Sequence, residues 1–382
     1  MEIYTLNLIL IIIMFIYSKF KKSITGNSNI KYGYWIIFLS LFLISGFRVV
    51  GTGTDTTLYK LYFETIDLYN YNTTWLDFEI GYYLLNEFVR LITDDYQYIF
   101  ILAAFVTQYL INKTLKDYSL SYSLSIFLYI TLFFYYHSFN ILRQYIAISL
   151  VFFSIKYIIN KDLWKFLCIV LIASLFHRTA LIMLPFYWIS RWNISNLMYI
   201  ILTLIAIIFS IATDKIVHLI SLVIPKFTFY VNYSQEGASV NSIILIISIV
   251  IIFSLIYRKR LILKDKSTTI YINLVYFALF FNILVKGNFV FSRIGEYFYI
   301  FILLLIPVCI KILNKYIRVI LYLLIIPIMF LYHNYLMSSN NSGVVPYESN
   351  FNIIETSSSI LLIVLLIFAL SSILKKVSWK KI

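Results

Sequence analysis

Apolar residues follow one another along this chain in long runs, and polar residues collect in short segments between them. Most runs have about 14 to 22 residues, the length that an α-helix needs to cross the hydrocarbon core of a bilayer. The pattern predicts an all-α polytopic integral membrane protein with about 13 spans, in a range of roughly 10 to 14. The predicted spans cover residues 3–17, 34–50, 97–112, 119–136, 141–159, 163–176, 179–190, 194–212, 241–257, 270–286, 295–313, 316–336 and 353–374.

Basic residues indicate the orientation of these spans. With residues 18–33 placed in the cytoplasm, the cytoplasmic segments collect 21 Lys and Arg residues, whereas the outer segments hold 9. The acidic residues divide the other way, with 3 inside and 14 outside. Because cytoplasmic loops are enriched in Lys and Arg, the count predicts an N-terminus outside and a C-terminus in the cytoplasm.

Residues 163–190 allow two interpretations. One long helix would cross the membrane once, but His177 and Arg178 interrupt the apolar run and Pro185 stands in its second half. A single crossing would also move the basic residues of 258–266 to the outer side and break the charge bias. We therefore expect a hairpin or re-entrant pair that turns at His177, covered by protein or lining a wet cavity.

A single polytopic membrane domain is predicted over residues 1–382, with long outer loops at about 51–96, 213–240 and 337–352. The first loop carries an apolar stripe at helical spacing. This stripe predicts an amphipathic helix that lies on the outer leaflet or over a cavity. The stripe consists of Trp75, Phe78, Tyr82, Tyr83, Leu85, Phe88 and Val89.

The composition supports the membrane class and argues against several functions. Hydrophobic residues make up 62% of the 382 residues and charged residues only 13%, with a mean hydropathy of +0.88; soluble domains contain about a quarter charged residues. The net charge of +14 comes from basic residues scattered among short loops, so we expect no nucleic-acid partner. No predicted cytoplasmic loop is long enough for an ATPase, and no Walker-type glycine run occurs. Cys168 and Cys309 lie within apolar runs, and we expect neither a metal nor a cofactor.

Polar groups from several predicted spans share the outer face. Charges at a membrane edge are costly, which makes them functional candidates. Arginines there can grip phosphate or pyrophosphate, because the guanidinium group stays charged and offers forked donors. His177 and Asp55 are candidates for proton transfer. The groups are Arg48 with Asp55, Asn140 with Arg143 and Gln144, His177 with Arg178, Lys286, and Arg293 with Glu296.

Each of these residues also has an ordinary structural interpretation. An arginine at a span end often snorkels to the interface, and His177 can cap a helix turn. Asp55 can be the N-cap of a helix that starts near Thr56, and tyrosines at span ends are typical of an aromatic belt. A functional role is favoured over a structural one, because four separate spans each place an Arg or His residue on the same face.

Five short motifs follow one another along nearly the whole chain. They are Phe47–Tyr59 with Arg48 and Asp55, Asn140-Ile141-Leu142-Arg143-Gln144, Phe176-His177-Arg178-Thr179-Ala180 followed by Pro185, Arg293-Ile294-Gly295-Glu296-Tyr297-Phe298, and Val345-Pro346-Tyr347. In this order they resemble the signatures of the EpsG-type family, within the wider Wzy-like polysaccharide polymerases. The first motif departs from the family pattern by duplicating Gly-Thr, so it is open whether Gly51 or Gly53 makes the turn.

The resemblance implies a glycosyltransferase-type polymerase in the bacterial cytoplasmic membrane. Such proteins join repeat units of capsular polysaccharide or exopolysaccharide on the outer face. The donor is a growing glycan on undecaprenyl pyrophosphate, and the acceptor is a fresh lipid-linked repeat. The implied partners are this lipid-linked oligosaccharide, membrane lipids, a flippase and a chain-length regulator. The charges fit this chemistry, because a leaving pyrophosphate needs cations in place and an acceptor hydroxyl needs a base nearby.

This hypothesis assigns roles to the outer-face residues. Arg143 and Arg293 would clamp the pyrophosphate, His177 would act as base or orient the substrate, and Arg48 would be a third clamp or pair with Asp55. The general base is open between Asp55, His177 and Glu296. The catalytic candidates are thus His177, Arg143, Arg293 and Asp55, and the substrate-binding candidates are Arg48, Asn140, Gln144, Arg178, Lys286, Glu296 and Tyr297.

Two other functions compete with polymerisation. An O-antigen-ligase-like transferase typically carries its main site in one large outer loop, whereas the arginines here are spread over several spans. A flippase or secondary transporter of lipid-linked sugars should show internal repeats and charges near mid-membrane. No repeat is visible, and Lys156 is the only mid-span candidate and can snorkel from a helix end. Both comparisons favour the polymerase.

Overall fold

The structure is a computed structural model in which most of the described backbone is helical. Within the described ranges, the only β pairing is an isolated antiparallel bridge between Arg48 and Ser349. The all-α class predicted from the apolar runs is therefore confirmed. The described residues are 2–25, 31–66, 78–223, 238–284 and 289–350.

The helices follow the apolar runs closely along the chain. In chain order they are α1 (Glu2–Thr25), α2 (Lys31–Gly46), α3 (Thr56–Thr65), α4 (Ile80–Arg90), α5 (Gln97–Tyr118), α6 (Tyr122–Thr131), α7 (Phe134–Asn140), α8 (Leu142–Phe153), α9 (Ile155–Ile159), α10 (Leu163–Phe176), a 3-10 helix (Arg178–Met183), α11 (Phe186–Ile189), α12 (Asn196–Val223), α13 (Ala238–Ile256), α14 (Arg258–Lys264), α15 (Thr268–Leu284), α16 (Phe289–Tyr299), α17 (Ile302–Lys311) and α18 (Lys315–Ser339).

Several helices are suited to a bilayer by length and composition. Four described segments are long and apolar enough to cross one, and α13 with α14 makes a fifth if this pair, bent by 85°, counts as one span. The four are Gln97–Tyr118, Leu142–Ile159, Arg293–Lys311 and Lys315–Ser339. Shorter apolar helices accompany them. The protein is thus a helical, multi-pass membrane protein, whereas the count of 13 spans and their orientation stay predictions. The predicted span at 353–374 lies outside the described residues.

Two predicted segments differ from the helices observed. The span predicted at 119–136 is divided, because Phe133 has a positive φ of 72° that ends α6 and starts α7 in a new direction. The helix α12 continues to Val223, past the predicted span end at residue 212. A helix satisfies its own backbone hydrogen bonds, so it need not stop where the apolar run stops.

The interruption predicted at His177 is present. The helix α10 ends at Phe176, His177 adopts an extended conformation, and the 3-10 helix and α11 follow. Pro185 sits immediately before α11, where its fixed φ suits a helix start. One continuous helix over 163–190 is therefore excluded. The 3-10 helix packs against α10, α8 and α16, and His177, immediately before it, is partly buried.

The amphipathic helix predicted in the first long loop is present as α4. Tyr82 and Val89 are buried, while Leu84 and Phe88 are exposed on the other side. The helix lies close to α10 because Gly81 has no side chain: a Cβ there would stand 2.7 Å from the carbonyl oxygen of Leu175. Trp75, at the start of the predicted stripe, lies outside the described residues. The α4–α10 contact places the residues before α4 beside the break at His177.

Candidate functional site

An ion pair between Arg143 and Glu79 lies at the centre of the candidate site. Arg143 is in the first turn of α8, and its Nη1 donates a hydrogen bond to Oε2 of Glu79, the residue before α4. The guanidinium group also lies over the ring of Phe78, 3.9 Å from the ring centroid. Only 18% of the Arg143 side chain and 11% of the Glu79 side chain are exposed. Both charges are therefore largely removed from water, which makes their mutual pairing important.

The second carboxylate oxygen of Glu79 reaches the 3-10 helix. Its Oε1 accepts a hydrogen bond from the backbone N–H of Arg178 at 3.2 Å. Glu79 thus connects the start of α4, the first turn of α8 and the start of the 3-10 helix. The sequence did not single out Glu79, because the loop at 51–96 contains eight acidic residues with no distinguishing spacing. Its place directly before an amphipathic helix was the one available signal.

His177 lies beside this ion pair and is held as a neutral imidazole. Its Nδ1 is 2.5 Å from the hydroxyl oxygen of Thr179, and that hydroxyl lies 3.3 Å from the hydroxyl of Tyr297 in α16. Burial, together with the positive charges of Arg143 and Arg293, lowers the pKa of His177 from 6.5 to about 3. His177 therefore carries no positive charge near neutral pH.

Helix α16 brings the second arginine motif to the same place. The Gln144 side chain donates a hydrogen bond from Nε2 to the backbone carbonyl of Arg293 at 2.7 Å, which connects α8 to α16. Arg293 lies close enough to His177 for its charge to act on the imidazole, as Arg143 does from α8. The structure thus brings together Arg143, His177 and Arg293, three of the four predicted catalytic residues.

Glu296 and Tyr297 stand one helical turn beyond Arg293. Tyr297 is fully buried and takes part in the hydrogen-bond chain to Thr179. The Oε1 atom of Glu296 is 3.2 Å from Nδ1 of His137, which lies on α7. His137 was not among the residues selected from the sequence, since it has no motif around it that the sequence reveals.

Arg48 points away from this cluster. Only 1% of the residue is exposed, and its guanidinium group lies between the rings of Phe100 and Phe139, at 4.7 and 4.8 Å from their centroids. It donates hydrogen bonds to the backbone carbonyls of Ser45 and, at 3.0 Å, Phe139. Arg48 is therefore no snorkelling residue, and none of the described ion pairs joins it to Asp55. The arginine joins the end of α2 to the end of α7.

Asn140 connects the glycine turn after Arg48 to the loop after α18. Its Oδ1 accepts a hydrogen bond from the backbone N–H of Thr54 at 3.0 Å, and its Nδ2 donates to the carbonyl of Ser342 at 2.9 Å. Both glycines of the turn have positive φ, 101° at Gly51 and 113° at Gly53. The turn therefore uses both glycines, since this conformation favours a residue without a side chain. Gly53 also packs tightly, because a Cβ there would stand 2.6 Å from Asn140 Oδ1.

Asp55 occupies the position before α3 that the sequence predicts, but its side chain makes no capping hydrogen bond. Its Oδ1 accepts a hydrogen bond from the Thr54 hydroxyl at 3.0 Å. Thr56 closes the turn instead, with its hydroxyl bonded to the backbone of Gly51 and Gly53. Asp55 therefore has the predicted position before α3 but makes no capping hydrogen bond, because its carboxylate bonds the Thr54 hydroxyl instead.

The remaining candidates do not change this arrangement. Arg178 contributes its backbone N–H to Glu79, as described above, and Lys286 lies outside the described residues.

Among the residues that the structure covers, no group of three or more His, Cys, Asp or Glu side chains is placed to hold a metal ion. A cavity of about 530 Å³ is lined by Asn196 and residues 255–260, and it includes none of the predicted site residues.

The chain matches a known protein family. A family model described as the EpsG family matches residues 31–349 of the chain. This range includes each of the five motifs and every residue of the site described above. No curated protein and no solved structure matches the chain.

Proposed function

The chain belongs to the EpsG family, and from this premise we propose that it polymerises lipid-linked oligosaccharide repeat units into capsular polysaccharide or exopolysaccharide. The donor is a glycan on undecaprenyl pyrophosphate, and the acceptor is a second lipid-linked repeat unit. The reaction takes place on the outer face of the bacterial cytoplasmic membrane. One polytopic domain with about 13 spans, an outer N-terminus and a cytoplasmic C-terminus carries it.

The observation that carries the proposal is the convergence of Arg143 and Arg293 on one buried imidazole. The two arginines come from different helices, and both charges act on His177. An anion placed among these three groups would meet two cations and a neutral hydrogen-bonding ring. Preorganised cations of this kind stabilise the negative charge that develops on a leaving pyrophosphate. We assign Arg143 and Arg293 this role.

Glu79 leaves Arg143 able to bind a phosphate group. The carboxylate takes the hydrogen bond from Nη1, whereas the Nε–H of Arg143 is buried and has no hydrogen-bond partner among the residues that the structure describes. A guanidinium group offers five N–H donors in a fixed plane, so one edge can bind a carboxylate while another binds phosphate oxygens. The Glu79 pair thus orients Arg143 and offsets its charge before the substrate binds.

His177 serves in this proposal to orient the substrate. A group whose pKa is about 3 is a weak proton acceptor at neutral pH. Its ring nitrogens can still hydrogen-bond a sugar hydroxyl or a phosphate oxygen. Arg48 and Asn140 are assigned to the scaffold, because both spend their hydrogen bonds on backbone groups. A flippase that supplies the repeat units and a regulator of chain length are the expected partners.

Reconstitution tests the proposed function directly. Purified protein in liposomes, given purified lipid-linked repeat units, is expected to lengthen the glycan, as seen by gel electrophoresis of the released sugar. Arg143→Ala should lower the rate by about 100-fold or more. Arg143→Lys should lie between this variant and the wild type, because it keeps the charge and loses the fork.

Other outcomes would contradict the proposal in different ways. Movement of the repeat unit between leaflets without new glycosidic bonds would identify a flippase. Transfer of a glycan to a different lipid acceptor would identify a ligase. Full-length polymer from Arg143→Ala and His177→Ala proteins at normal membrane levels would rule out this site. In cells, a strain that lacks the protein should accumulate single lipid-linked repeats.

A further inference from the structure

The pair of His137 and Glu296 has the geometry of a proton-transferring dyad. Glu296 Oε1 lies 3.2 Å from Nδ1 of His137. The contact is an ion-pair distance between α7 and α16. Since an ionised carboxylate can only accept hydrogen bonds, we expect a neutral His137 ring to carry its proton on Nδ1. The lone pair is then on Nε2, at the far side of the ring. About a third of the His137 side chain is exposed, 35%, so the ring is open to an incoming hydroxyl group.

Glu296 is suited to stabilise a protonated His137. Its side chain is 19% exposed, and its second oxygen, Oε2, is buried with no hydrogen-bond partner among the described residues. A largely buried carboxylate is stabilised by a nearby positive charge. Transfer of a proton to His137 would supply that charge at Oε1. The carboxylate therefore orients the ring and is placed to pair with it after it takes up a proton.

The dyad is next to the arginine site. Glu296 lies three residues after Arg293 on α16, a spacing that places both side chains on neighbouring positions of one helix face. Tyr297 follows Glu296 directly and is linked through Thr179 to His177. The other histidine at the site, His177, has a pKa lowered to about 3 by burial and by the charges of Arg143 and Arg293. Of the two imidazoles, His137 is the one that contacts a carboxylate.

We propose that His137 is the general base that activates the acceptor sugar hydroxyl and that Glu296 is its positioning residue. This inference rests on the proposed polymerase function. In the transfer step, the acceptor oxygen forms a bond to the anomeric carbon of the donor glycan. The bond between that carbon and the pyrophosphate oxygen breaks, and undecaprenyl pyrophosphate leaves with the electron pair. The hydroxyl proton passes to Nε2 of His137 and then to water.

The liposome assay with purified lipid-linked repeat units tests this assignment. His137→Ala should lower kcat by about 100-fold or more with KM changed by less than about twofold, since general bases contribute on this scale. Added imidazole should restore part of the lost rate. Glu296→Gln should also lower kcat, and Glu296→Asp should recover part of it. None of these effects follows from a purely structural ion pair.

His333→Gln is the matched control. His333 is a buried histidine whose Nε2 lies 3.0 Å from the hydroxyl of Tyr136, next to His137 in the chain. Its substitution should lower thermal stability and leave kcat unchanged. Wild-type kcat in folded His137→Ala protein, or a loss of kcat that imidazole does not restore, would overturn the dyad alone. Failure of the wild-type protein to lengthen any glycan would overturn the proposed function and, with it, the dyad.

Discussion

Arg48 and Arg143 follow the same local pattern, since each stands at the end of an apolar run, yet their surroundings differ completely. Arg48 lies between two aromatic rings and bonds only backbone carbonyls. Arg143 is paired with Glu79 and lies beside Arg293 and His177. A cation whose hydrogen bonds go to backbone carbonyls stabilises the fold, whereas a cation paired with a carboxylate can keep further donors for a ligand. The difference between the two arginines is thus one of partners.

The depressed pKa of His177 predicts a pH-dependent stability. The imidazole binds a proton below about pH 3 in the folded state, against 6.5 as its ordinary value. The contribution of His177 to the free energy of unfolding is therefore fully present above pH 6.5. It is lost as the pH falls toward 3, by at most about 1.4 kcal/mol per pH unit. The thermal unfolding midpoint of the protein in detergent should decrease as the pH is lowered from 7 to 5. His177→Gln should weaken this dependence, and an unchanged slope in that variant would contradict the assignment.

The elements around the site are held by close backbone contacts. The turn at residues 51–54 bonds the loop after α18 through Gly53 N–H and the carbonyl of Gly343, 2.8 Å apart. The same loop bonds the strand-like stretch around Arg48, where Val49 donates to Glu348 at 3.1 Å. The helix α4 is pressed against α10 at Gly81. These contacts hold Glu79, Asn140 and the 3-10 helix close together. The positions of the site residues therefore also depend on the loop after α18 and on α4, which carry none of the predicted catalytic residues.

Substitution of Gly81 tests the role of the α4–α10 contact. In Gly81→Ala, the new Cβ would stand 2.7 Å from a backbone carbonyl oxygen, which cannot move without shifting α10. Overpacking of this kind costs about 1–3 kcal/mol, and the shift should also weaken the Glu79–Arg143 pair. We expect a lower unfolding midpoint and slower glycan lengthening in the liposome assay.

Gly46→Ala is the matched control for this prediction. A Cβ at Gly46 would meet its nearest neighbours at 3.4 Å, close to ordinary van der Waals contact. This variant should behave like the wild type in both measurements. Equal behaviour of the two glycine variants would show that the close approach of α4 to α10 is not required.

At the scale of the whole molecule, the site collects groups from distant parts of the chain. Glu79 and Arg143 are 64 residues apart, and Glu79 and Arg178 are 99 apart. The helices were predictable because each depends on a local run of apolar residues. The pairing of helices depends on side-chain fit between segments that share no local pattern. For this reason the sequence predicted Arg143, His177 and Arg293 as site residues, whereas the contacts of Glu79 and His137 emerged only in three dimensions.

The proposed orientation predicts which segments face the outside of the cell. With Cys168 and Cys309 replaced by serine, a single cysteine at Thr57 should react with a membrane-impermeant maleimide in intact spheroplasts. A cysteine at Lys259 should react only after the membrane is opened. Both positions are exposed, so labelling reports the side and not the burial. The reverse result would place the arginine site in the cytoplasm and contradict polymerisation on the outer face.

The sequence by itself determined the helical membrane class, the break at His177 and the order of the five motifs. Each of these follows from local composition: apolar runs favour helices in lipid, and polar residues with Pro185 interrupt them. Only the tertiary structure decided that Arg48 is buried among backbone carbonyls, that Arg143 pairs with Glu79 and that Glu296 meets His137. The physical reason is that a charged side chain binds whichever group the packing of helices brings to it. That packing depends on several segments together and cannot be deduced from any one of them.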